Sequence, residues 1–265
     1  MRSLLHGAIL VSIEDGVATV QLNRPDKHNA INLAMWQALP DLIPSLDAEV
    51  VVLRGTTGGP FSAGADIEEF STLRSTPESA AVYGEAVAAG EAAIIACPVP
   101  TVAVIEGFAI GGGSQLALAC DLRLCAPGSR FGITPAKLGI VYGLASTARL
   151  VDVVGPAWAS WILMTGDLID AQTALRIGLV HEICEDVSAR AVELVATLTS
   201  RAQVSLLGAK ALIGKVTRGE RDEDDVVRQH YYDSLHSAEY AEGVAAFLAK
   251  RAPDFRAVRT PPPGE

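Results

Sequence analysis

Two glycine-centred loops are the segments whose residue types and spacing could carry chemistry. The first, Phe61–Ile67, follows an apolar run and a Gly-Gly-Pro turn, and the second, Gly107–Gly113, joins an apolar run to the start of a predicted helix. Glycine lets the backbone approach a ligand without a Cβ in the way, and the first N–H groups of a helix have no partner within it. Two such N–H groups aimed at one point would form an oxyanion hole for a carbonyl oxygen that gains negative charge. The alternative for either loop alone is tight packing of a helix on a strand.

Other common chemical motifs are missing from the sequence. Neither loop matches a P-loop or a dinucleotide-binding fingerprint. The five histidines are scattered and form no evident metal set or triad, so we expect no metal ion. The four cysteines, Cys97, Cys120, Cys125 and Cys184, lie in apolar surroundings without a C-x-x-C pair, which favours buried free thiols in the reducing cytoplasm over a redox or metal role.

The elements that must position the two loops alternate between strand and helix. The predicted strands are Ala8–Ile13, Val17–Leu22, Glu49–Arg54, Thr101–Ile105 and Asp121–Ala126. The predicted helices among them are Leu33–Leu46, Pro77–Ala96, Gly111–Ala119 and Asp170–Arg176. Asp15-Gly16 between the first two strands predicts a hairpin, and Pro40 and Pro44 predict a kink or an early end of the first helix. This alternation predicts an α/β fold with a largely parallel sheet.

The pattern changes near residue 187, after which only helices are predicted. They are Val187–Ser200, Val204–Val216, Glu223–Leu235 and Ala238–Arg251, followed by a frayed Pro-rich tail at Pro261–Gly264. We therefore predict an α/β core over residues 1–190 and a helical region over 191–265. Because the apolar faces of these helices need a partner, we expect a homotrimer or hexamer.

The amino-acid composition limits the classes of function that this protein can have. The 265 residues are 49% hydrophobic and 20% charged, which is enough to bury a large core without a disulfide or metal. Lys and Arg number 21 against 31 Asp and Glu, a net charge of −10 that makes binding of nucleic acid or an anionic membrane unexpected. We see no signal peptide and no apolar run long enough to span a membrane, and predict a cytoplasmic protein.

The chain as a whole resembles the crotonase (enoyl-CoA hydratase/isomerase) superfamily. The motifs on which this resemblance rests occur in order along nearly the whole chain. They are Asn23–Pro25, Asn29–Asn32, Phe61–Ile67, Gly107–Gly113, Ala119–Asp121, Phe131-Gly132, Leu138–Ile140, Thr165-Gly166 and Ala174–Val180. The resemblance implies a spiral core of ββα units, a trimer or a dimer of trimers, and an acyl-CoA thioester as substrate, with coenzyme A as part of the substrate and no separate cofactor.

The resemblance also implies roles for individual residues. The backbone N–H groups of Ala65 and Gly112 would form the oxyanion hole for a thioester that becomes enolate-like. Main-chain groups of the first loop would hold the adenine of coenzyme A, and the residues proposed for substrate binding are Ala63, Gly64, Asp66, Ile67 and Gly111. The acyl pocket would be lined by the helix near Pro77–Ala96.

The sequence departs from the family at both glutamates of its hydratases. Gln115 and Pro135 stand at these positions. Glutamine does not exchange a proton at neutral pH and proline has no side-chain donor or acceptor, so the machinery that positions water and delivers a proton is missing. Tyr142 lies where family decarboxylases can carry a similar segment, but a pocket-wall residue is its simpler explanation.

Two further carboxylates belong to or directly precede the glycine loops. Asp66 is most simply explained as the cap of the next helix. Glu106 stands at a strand end before the second loop, and a position outside the site is its simpler explanation.

Three hypotheses follow. The first is an enzyme that stabilises a thioester enolate, acting as a lyase or isomerase with a non-standard acid or none. The second is a catalytically silent acyl-CoA-binding protein that keeps the pocket. The third is an acyl-CoA decarboxylase, which needs no general base to form its enolate.

Overall fold

Two sheets are present in residues 2–259, which the computed structural model describes. The larger has the strand order β1 (Arg2–Leu4), β2 (Ile9–Glu14), β3 (Val17–Leu22), β4 (Val50–Arg54), β5 (Thr101–Ile105), β7 (Leu122–Cys125) and β10 (Glu182–Ile183). The smaller has the order β6 (Phe108–Ile110), β8 (Arg130–Gly132) and β9 (Ile169–Asp170). The predicted tail, Pro261–Gly264, lies outside the described residues.

The predicted hairpin and parallel sheet are both confirmed. β2 and β3 are antiparallel, and Asp15 and Gly16 both have positive φ, as a two-residue hairpin turn requires. From β3 onward every neighbour in the larger sheet is parallel. β4 and β5 are buried almost throughout, which is expected of parallel strands covered on both faces.

Helices connect the parallel strands. In chain order up to β10 they are α1 (Leu33–Leu42), α2 (Phe70–Leu73), α3 (Pro77–Ile95), α4 (Gly112–Ala119), α5 (Leu144–Thr165) and α6 (Ala171–Arg176). α1 ends early, as its prolines predicted, and continues as a 3-10 turn over Ile43–Ser45. Asp170 caps α6 through the Thr173 N–H, also as predicted. α5 was not predicted; it consists of two helical stretches that meet at Gly155, where φ is +74°.

The chain winds as repeated strand–strand–helix units. β5 lies in the larger sheet, β6 in the smaller sheet, and α4 follows; β7, β8 and α5 repeat this path. The first loop joins the smaller sheet in the same way, because Ser62 forms a parallel bridge with Ala109 of β6. This path matches the expected α/β spiral of ββα units. It brings both glycine loops to one place.

The chain divides into two units. The first contains residues up to Cys97 and Thr101–Ala191; the second contains Pro98–Pro100 and the chain from Val192 onward. The later helices are α7 (Val187–Thr199), α8 (Gln203–Thr217), α9 (Asp225–Leu235), α10 (Ala238–Leu248) and α11 (Phe255–Arg259). The first four agree with the predicted helices, and α11 was not predicted. In the second unit, the Glu239 carboxylate accepts hydrogen bonds from the N–H groups of Gln203 and Val204 at the start of α8.

Two smaller expectations can be checked directly. All four cysteines are buried, and none forms a disulfide within residues 2–259, as predicted. None of the helices within residues 2–259 is long and apolar enough to cross a membrane.

Candidate functional site

A cavity of about 350 Å³ in the first unit contains most of the residues singled out from the sequence. Nine of the ten predicted site residues line it: Ala63, Gly64, Ala65, Ile67, Gly111, Gly112, Gln115, Pro135 and Tyr142. One face of α3 forms a wall, from Ala80 to Glu91, where the sequence placed the acyl pocket. A second wall comes from the segment that runs from Thr134 into the first turn of α5.

Direct backbone contact holds the two glycine loops together. Ser62 donates its N–H to the Phe108 oxygen and accepts from the Ile110 N–H, at 3.0 Å each. Glycine is required at this contact: a Cβ on Gly64, where φ is +99°, would lie 2.6 Å from the Ile110 oxygen, and one on Gly113 would lie 2.7 Å from the Ser62 oxygen. The sequence therefore uses glycine here for close packing as well as for access to the pocket.

The backbone nitrogen atoms of Ala65 and Gly112 lie close together in the lining of the cavity. Ile31 donates to the Gly64 oxygen at 2.7 Å and accepts from the Asp66 N–H at 3.0 Å. Because successive N–H groups of an extended chain point to opposite sides, the Ala65 N–H is turned away from Ile31. Gly112 is the first residue of α4, so its N–H has no acceptor inside the helix. A Cβ on Gly112 would lie only 3.5 Å from the Ala65 nitrogen.

The positions of the two family glutamates both face this cavity. Gln115, the fourth residue of α4, is 9% exposed, and its side-chain amide donates to the Ser146 hydroxyl at 2.8 Å. Pro135 begins a 3-10 turn, Pro135–Leu138. Neither side chain can exchange a proton.

A different carboxylate lies in the cavity, and the sequence analysis missed it. Glu91, near the end of α3, is only 6% exposed and accepts a hydrogen bond of 2.6 Å from the Ser146 hydroxyl to its Oε2 atom. Burial raises the pKa of the Glu91 carboxyl above its ordinary value, and hydrogen bonds from Ser146 and Gln115 act in the opposite direction. The sequence offers only a weak signal for this position. Glu91 is four residues after Val87 and eight after Tyr83, a spacing that places all three on the helix face that lines the cavity.

Tyr142 also lies beside this carboxylate. Its hydroxyl is buried and makes no hydrogen bond with the described residues. Burial, and then the nearby charge of Glu91, raises the pKa of Tyr142 well above its ordinary value. The phenol therefore stays protonated at neutral pH and presents an O–H donor to the cavity.

Two carboxylates close to the glycine loops in the sequence, Asp66 and Glu106, are not among the residues that line the cavity. Asp66 forms an ion pair of 2.7 Å with Arg24 and caps the 3-10 turn Ile67–Glu69 through the Glu68 N–H. Glu106 faces Arg54 at 3.4 Å. The capping role considered for Asp66 is what the structure shows.

One cation lines the cavity within the described part of the chain. The Arg74 guanidinium carbon lies 4.3 Å from the centre of the Phe70 ring and 4.5 Å from that of the Tyr83 ring. Its Nε atom is buried and has no hydrogen-bond partner among residues 2–259. Over the same residues, no group of three His, Cys, Asp or Glu side chains could hold a metal ion.

Comparison with known proteins identifies the family. The family profile described as enoyl-CoA hydratase/isomerase matches residues 12–258. The chain belongs to the enoyl-CoA hydratase/isomerase family. It is 30% identical over 257 residues to a crotonyl-CoA hydratase of Syntrophomonas wolfei, which covers 93% of this chain and 97% of the relative.

Solved structures agree with this assignment. A crystal structure of an enoyl-CoA hydratase/carnitine racemase from Magnetospirillum magneticum superposes with a TM-score of 0.89, at 36% identity, covering 94% of this chain and 95% of the other. A crystal structure of an enoyl-CoA hydratase from Bacillus anthracis superposes with a TM-score of 0.83, at 28% identity, covering 94% of this chain and 98% of the other. As a member of the enoyl-CoA hydratase/isomerase family, the chain has the crotonase fold that the sequence motifs implied.

Proposed function

We propose that the cavity binds an acyl-CoA thioester and stabilises the enolate formed from it. The observation that carries this proposal is the adjacency of the Ala65 and Gly112 N–H groups at the cavity. When a thioester loses a proton or a carboxylate next to its carbonyl, negative charge develops on the carbonyl oxygen. Two fixed N–H donors stabilise that charge without reorganisation, and removing one such donor in other enzymes costs about 10²–10³ in rate.

The proposed reaction is carbanion chemistry rather than ordinary hydration. Hydration needs groups that position water and deliver a proton, and Gln115 and Pro135 supply neither. Isomerisation of a double bond needs one group that removes and returns a proton, and decarboxylation needs only one that delivers it. The protein would thus be a lyase or isomerase of its family that requires no cofactor beyond the coenzyme A of the substrate.

A second candidate is a catalytically silent acyl-CoA-binding protein. Gln115 and Pro135 favour it, because both usual acid–base positions are neutral while the cavity is retained. The presence of a buried carboxyl, Glu91, at the same cavity favours the enzyme.

A panel of thioesters separates the two candidates. Wild-type protein is incubated with 2-enoyl-, 3-enoyl-, malonyl- and methylmalonyl-CoA, and products are followed by mass spectrometry, while calorimetry measures binding of the same compounds and of free coenzyme A. Turnover of any compound supports the enzyme. Tight binding that depends on the acyl group, without turnover, identifies the silent carrier, and no binding of any acyl-CoA contradicts both.

The proposal includes the cellular setting and assembly that the sequence predicted. Four buried cysteines that form no disulfide within residues 2–259 are compatible with the cytoplasm. A homotrimer or hexamer would cover apolar side chains such as Phe247, which is 82% exposed in the single chain.

A further inference from the structure

Glu91 is the one carboxylate among the cavity-lining residues in the described part of the chain. It comes from α3, an element that supplies neither of the family's usual glutamate positions. A buried carboxylate is costly unless it is hydrogen-bonded, so its retention in an otherwise apolar helix face needs a reason. One possible reason is proton transfer at the cavity, and the competing reason is a purely structural hydrogen bond to Ser146.

The hydrogen bonds around Glu91 fix the role of its Oε2 atom. The Gln115 amide donates to Ser146 Oγ, so the Ser146 hydroxyl directs its own proton to Oε2 of Glu91. Oε2 is therefore an acceptor, and Oε1 is the atom that carries the proton when the carboxyl is neutral. Gln115 cannot serve as acid or base, but it orients the group that can.

The electrostatic setting suits a group that both takes and returns a proton. Burial raises the pKa of Glu91, which shifts proton release toward neutral pH, and two hydrogen bonds keep the ionised form accessible. General acid–base catalysis is most efficient when the pKa of the group lies near the operating pH.

We infer that Glu91 is the proton-transfer residue of this site, which rests on the proposed function. In the reaction, ionised Glu91 removes a proton from the carbon next to the thioester carbonyl, and the C–H electron pair becomes the enolate double bond. The charge moves to the thioester oxygen, held by the Ala65 and Gly112 N–H groups. The protonated carboxyl then returns the proton, either to the same carbon or, in a 3-enoyl thioester, to the carbon two positions further along, which yields the 2-enoyl isomer. The reaction consumes no water, oxidant or other co-reactant, because the proton that leaves the substrate is returned to it.

Hydrogen–deuterium exchange provides a test that does not require the natural substrate. Wild type, Glu91→Gln, Glu91→Asp and Glu91→Ala are incubated in D2O with butyryl-CoA and 3-hexenoyl-CoA, and deuterium incorporation and isomerisation are followed by NMR. Glu85→Gln is the matched control, since Glu85 lies on α3 but is exposed and outside the cavity. Calorimetry measures the affinity of each variant for butyryl-CoA.

We expect Glu91→Gln to lower exchange by about 10²-fold or more, the usual contribution of a positioned acid–base group, with affinity changed less than threefold. Glu91→Asp should retain more exchange than Glu91→Gln, and Glu85→Gln should equal wild type. Wild-type exchange that survives in Glu91→Gln would overturn the role of Glu91 and leave the proposed function standing. Wild type that binds without exchange overturns this inference in favour of the silent carrier, and wild type that does not bind overturns the proposed function itself.

A separate observation concerns the acyl group. The Arg74 guanidinium is stacked on Phe70 and Tyr83, lacks a carboxylate partner within residues 2–259, and leaves its buried Nε without an acceptor. It faces a cavity that is otherwise lined by apolar, small or neutral groups apart from Glu91. A buried donor without a partner costs free energy, and an anionic group on the ligand would satisfy it.

The anion is better matched by a carboxylate than by the phosphates of coenzyme A. A planar guanidinium pairs with a carboxylate through two parallel hydrogen bonds, whereas several phosphates would call for several cations. Arg74 is the one cation that lines the cavity among residues 2–259. Tyr83 and Glu91 are eight residues apart on α3, which is about 12 Å along the helix axis. A carboxylate at Arg74 would therefore be at the far end of the acyl chain, away from the reacting carbon.

We propose that Arg74 selects acyl groups that end in a carboxylate. Calorimetry compares adipyl-CoA with hexanoyl-CoA, which has the same chain length without the carboxylate, and with free coenzyme A. The proteins are wild type, Arg74→Gln, Arg74→Lys and, as a control, Arg176→Gln, whose cation stacks on Trp158 outside the cavity.

Arg74→Gln should weaken adipyl-CoA binding at least tenfold and leave hexanoyl-CoA unchanged, with Arg74→Lys in between and Arg176→Gln like wild type. Equal weakening of all three ligands would assign the contact to a coenzyme A phosphate and overturn the proposal. Unchanged binding of adipyl-CoA would overturn it as well. Neither result depends on Glu91 or on turnover.

Discussion

The Ser146 hydroxyl donates a hydrogen bond of 2.6 Å to Oε2 of Glu91, although the two residues are 55 positions apart in the sequence. The contact joins α3 to the first turn of α5 and places a carboxyl at the cavity that also contains the Ala65 and Gly112 N–H groups. A chain that lacks both usual glutamates thus has an ionisable group at the same cavity from another helix.

Replacing Ser146 should change the pH dependence of the reaction. The hydrogen bond from Ser146 stabilises ionised Glu91 and lowers its pKa against the effect of burial. Ser146→Ala removes this stabilisation, so the pKa rises further. If ionised Glu91 removes the substrate proton, the rising limb of kcat/KM moves to higher pH in this variant. A profile identical to wild type, measured by deuterium exchange between pH 5 and 9, would contradict the assigned role.

Gly64→Ala should disrupt the contact between the two loops. Its Cβ would lie 2.6 Å from the Ile110 oxygen, in a backbone conformation that only glycine adopts easily. We expect a stability loss of about 1–3 kcal/mol and a fall in kcat of about 10²–10³ as the Ala65 N–H moves. Gly128→Ala is the control, since its Cβ would meet nothing within 4 Å, and should change stability by no more than about 0.5 kcal/mol. Urea unfolding and steady-state kinetics measure both effects, and wild-type values for Gly64→Ala would contradict the account.

Restoring both family glutamates should create hydratase activity. Gln115→Glu alone adds a carboxyl without its partner, and Pro135→Glu alone does the same from the 3-10 turn after β8. We expect slow hydration of crotonyl-CoA in wild type and in each single variant, and an increase of about 10² or more in the double variant. Wild-type hydration at about 10 s⁻¹ or above would show that another residue already supplies this chemistry.

Light scattering should report a homotrimer or hexamer. Large apolar side chains remain exposed on the helices after residue 191, among them Phe247 at the end of α10. Such side chains in a single chain usually indicate a contact with another copy. A stable monomer at micromolar concentration would contradict this prediction.

Much of the fold could be predicted because local signals agreed with the tertiary structure. The Asp15-Gly16 turn, the strand at Thr101–Ile105 and the capped helix after Asp170 each depend on residues within a few positions. α5 was missed because Gly155-Pro156 marks a break in an apolar sequence, whereas the two helical stretches continue on either side of it. β1 was missed because Arg2–Leu4 is too short to show a period, and its pairing with β2 is long-range information.

The candidate site was predictable only where glycine marks it. Both loops could be recognised because close backbone approach excludes other residues there. Glu91 could not be recognised in this way, since a lone glutamate in an alanine-rich helix has the same local sequence whether it faces water or a cavity. Its burial depends on Ser146 and Gln115, which come from elements far along the chain.

A crystal structure with a bound, unreactive acyl-CoA tests the central claim most directly. The account predicts the thioester oxygen within about 2.7–3.1 Å of both the Ala65 and Gly112 nitrogens, with the carbon next to the carbonyl facing Glu91. A thioester oxygen bound elsewhere, with these two N–H groups turned to water or to other protein groups, would contradict it.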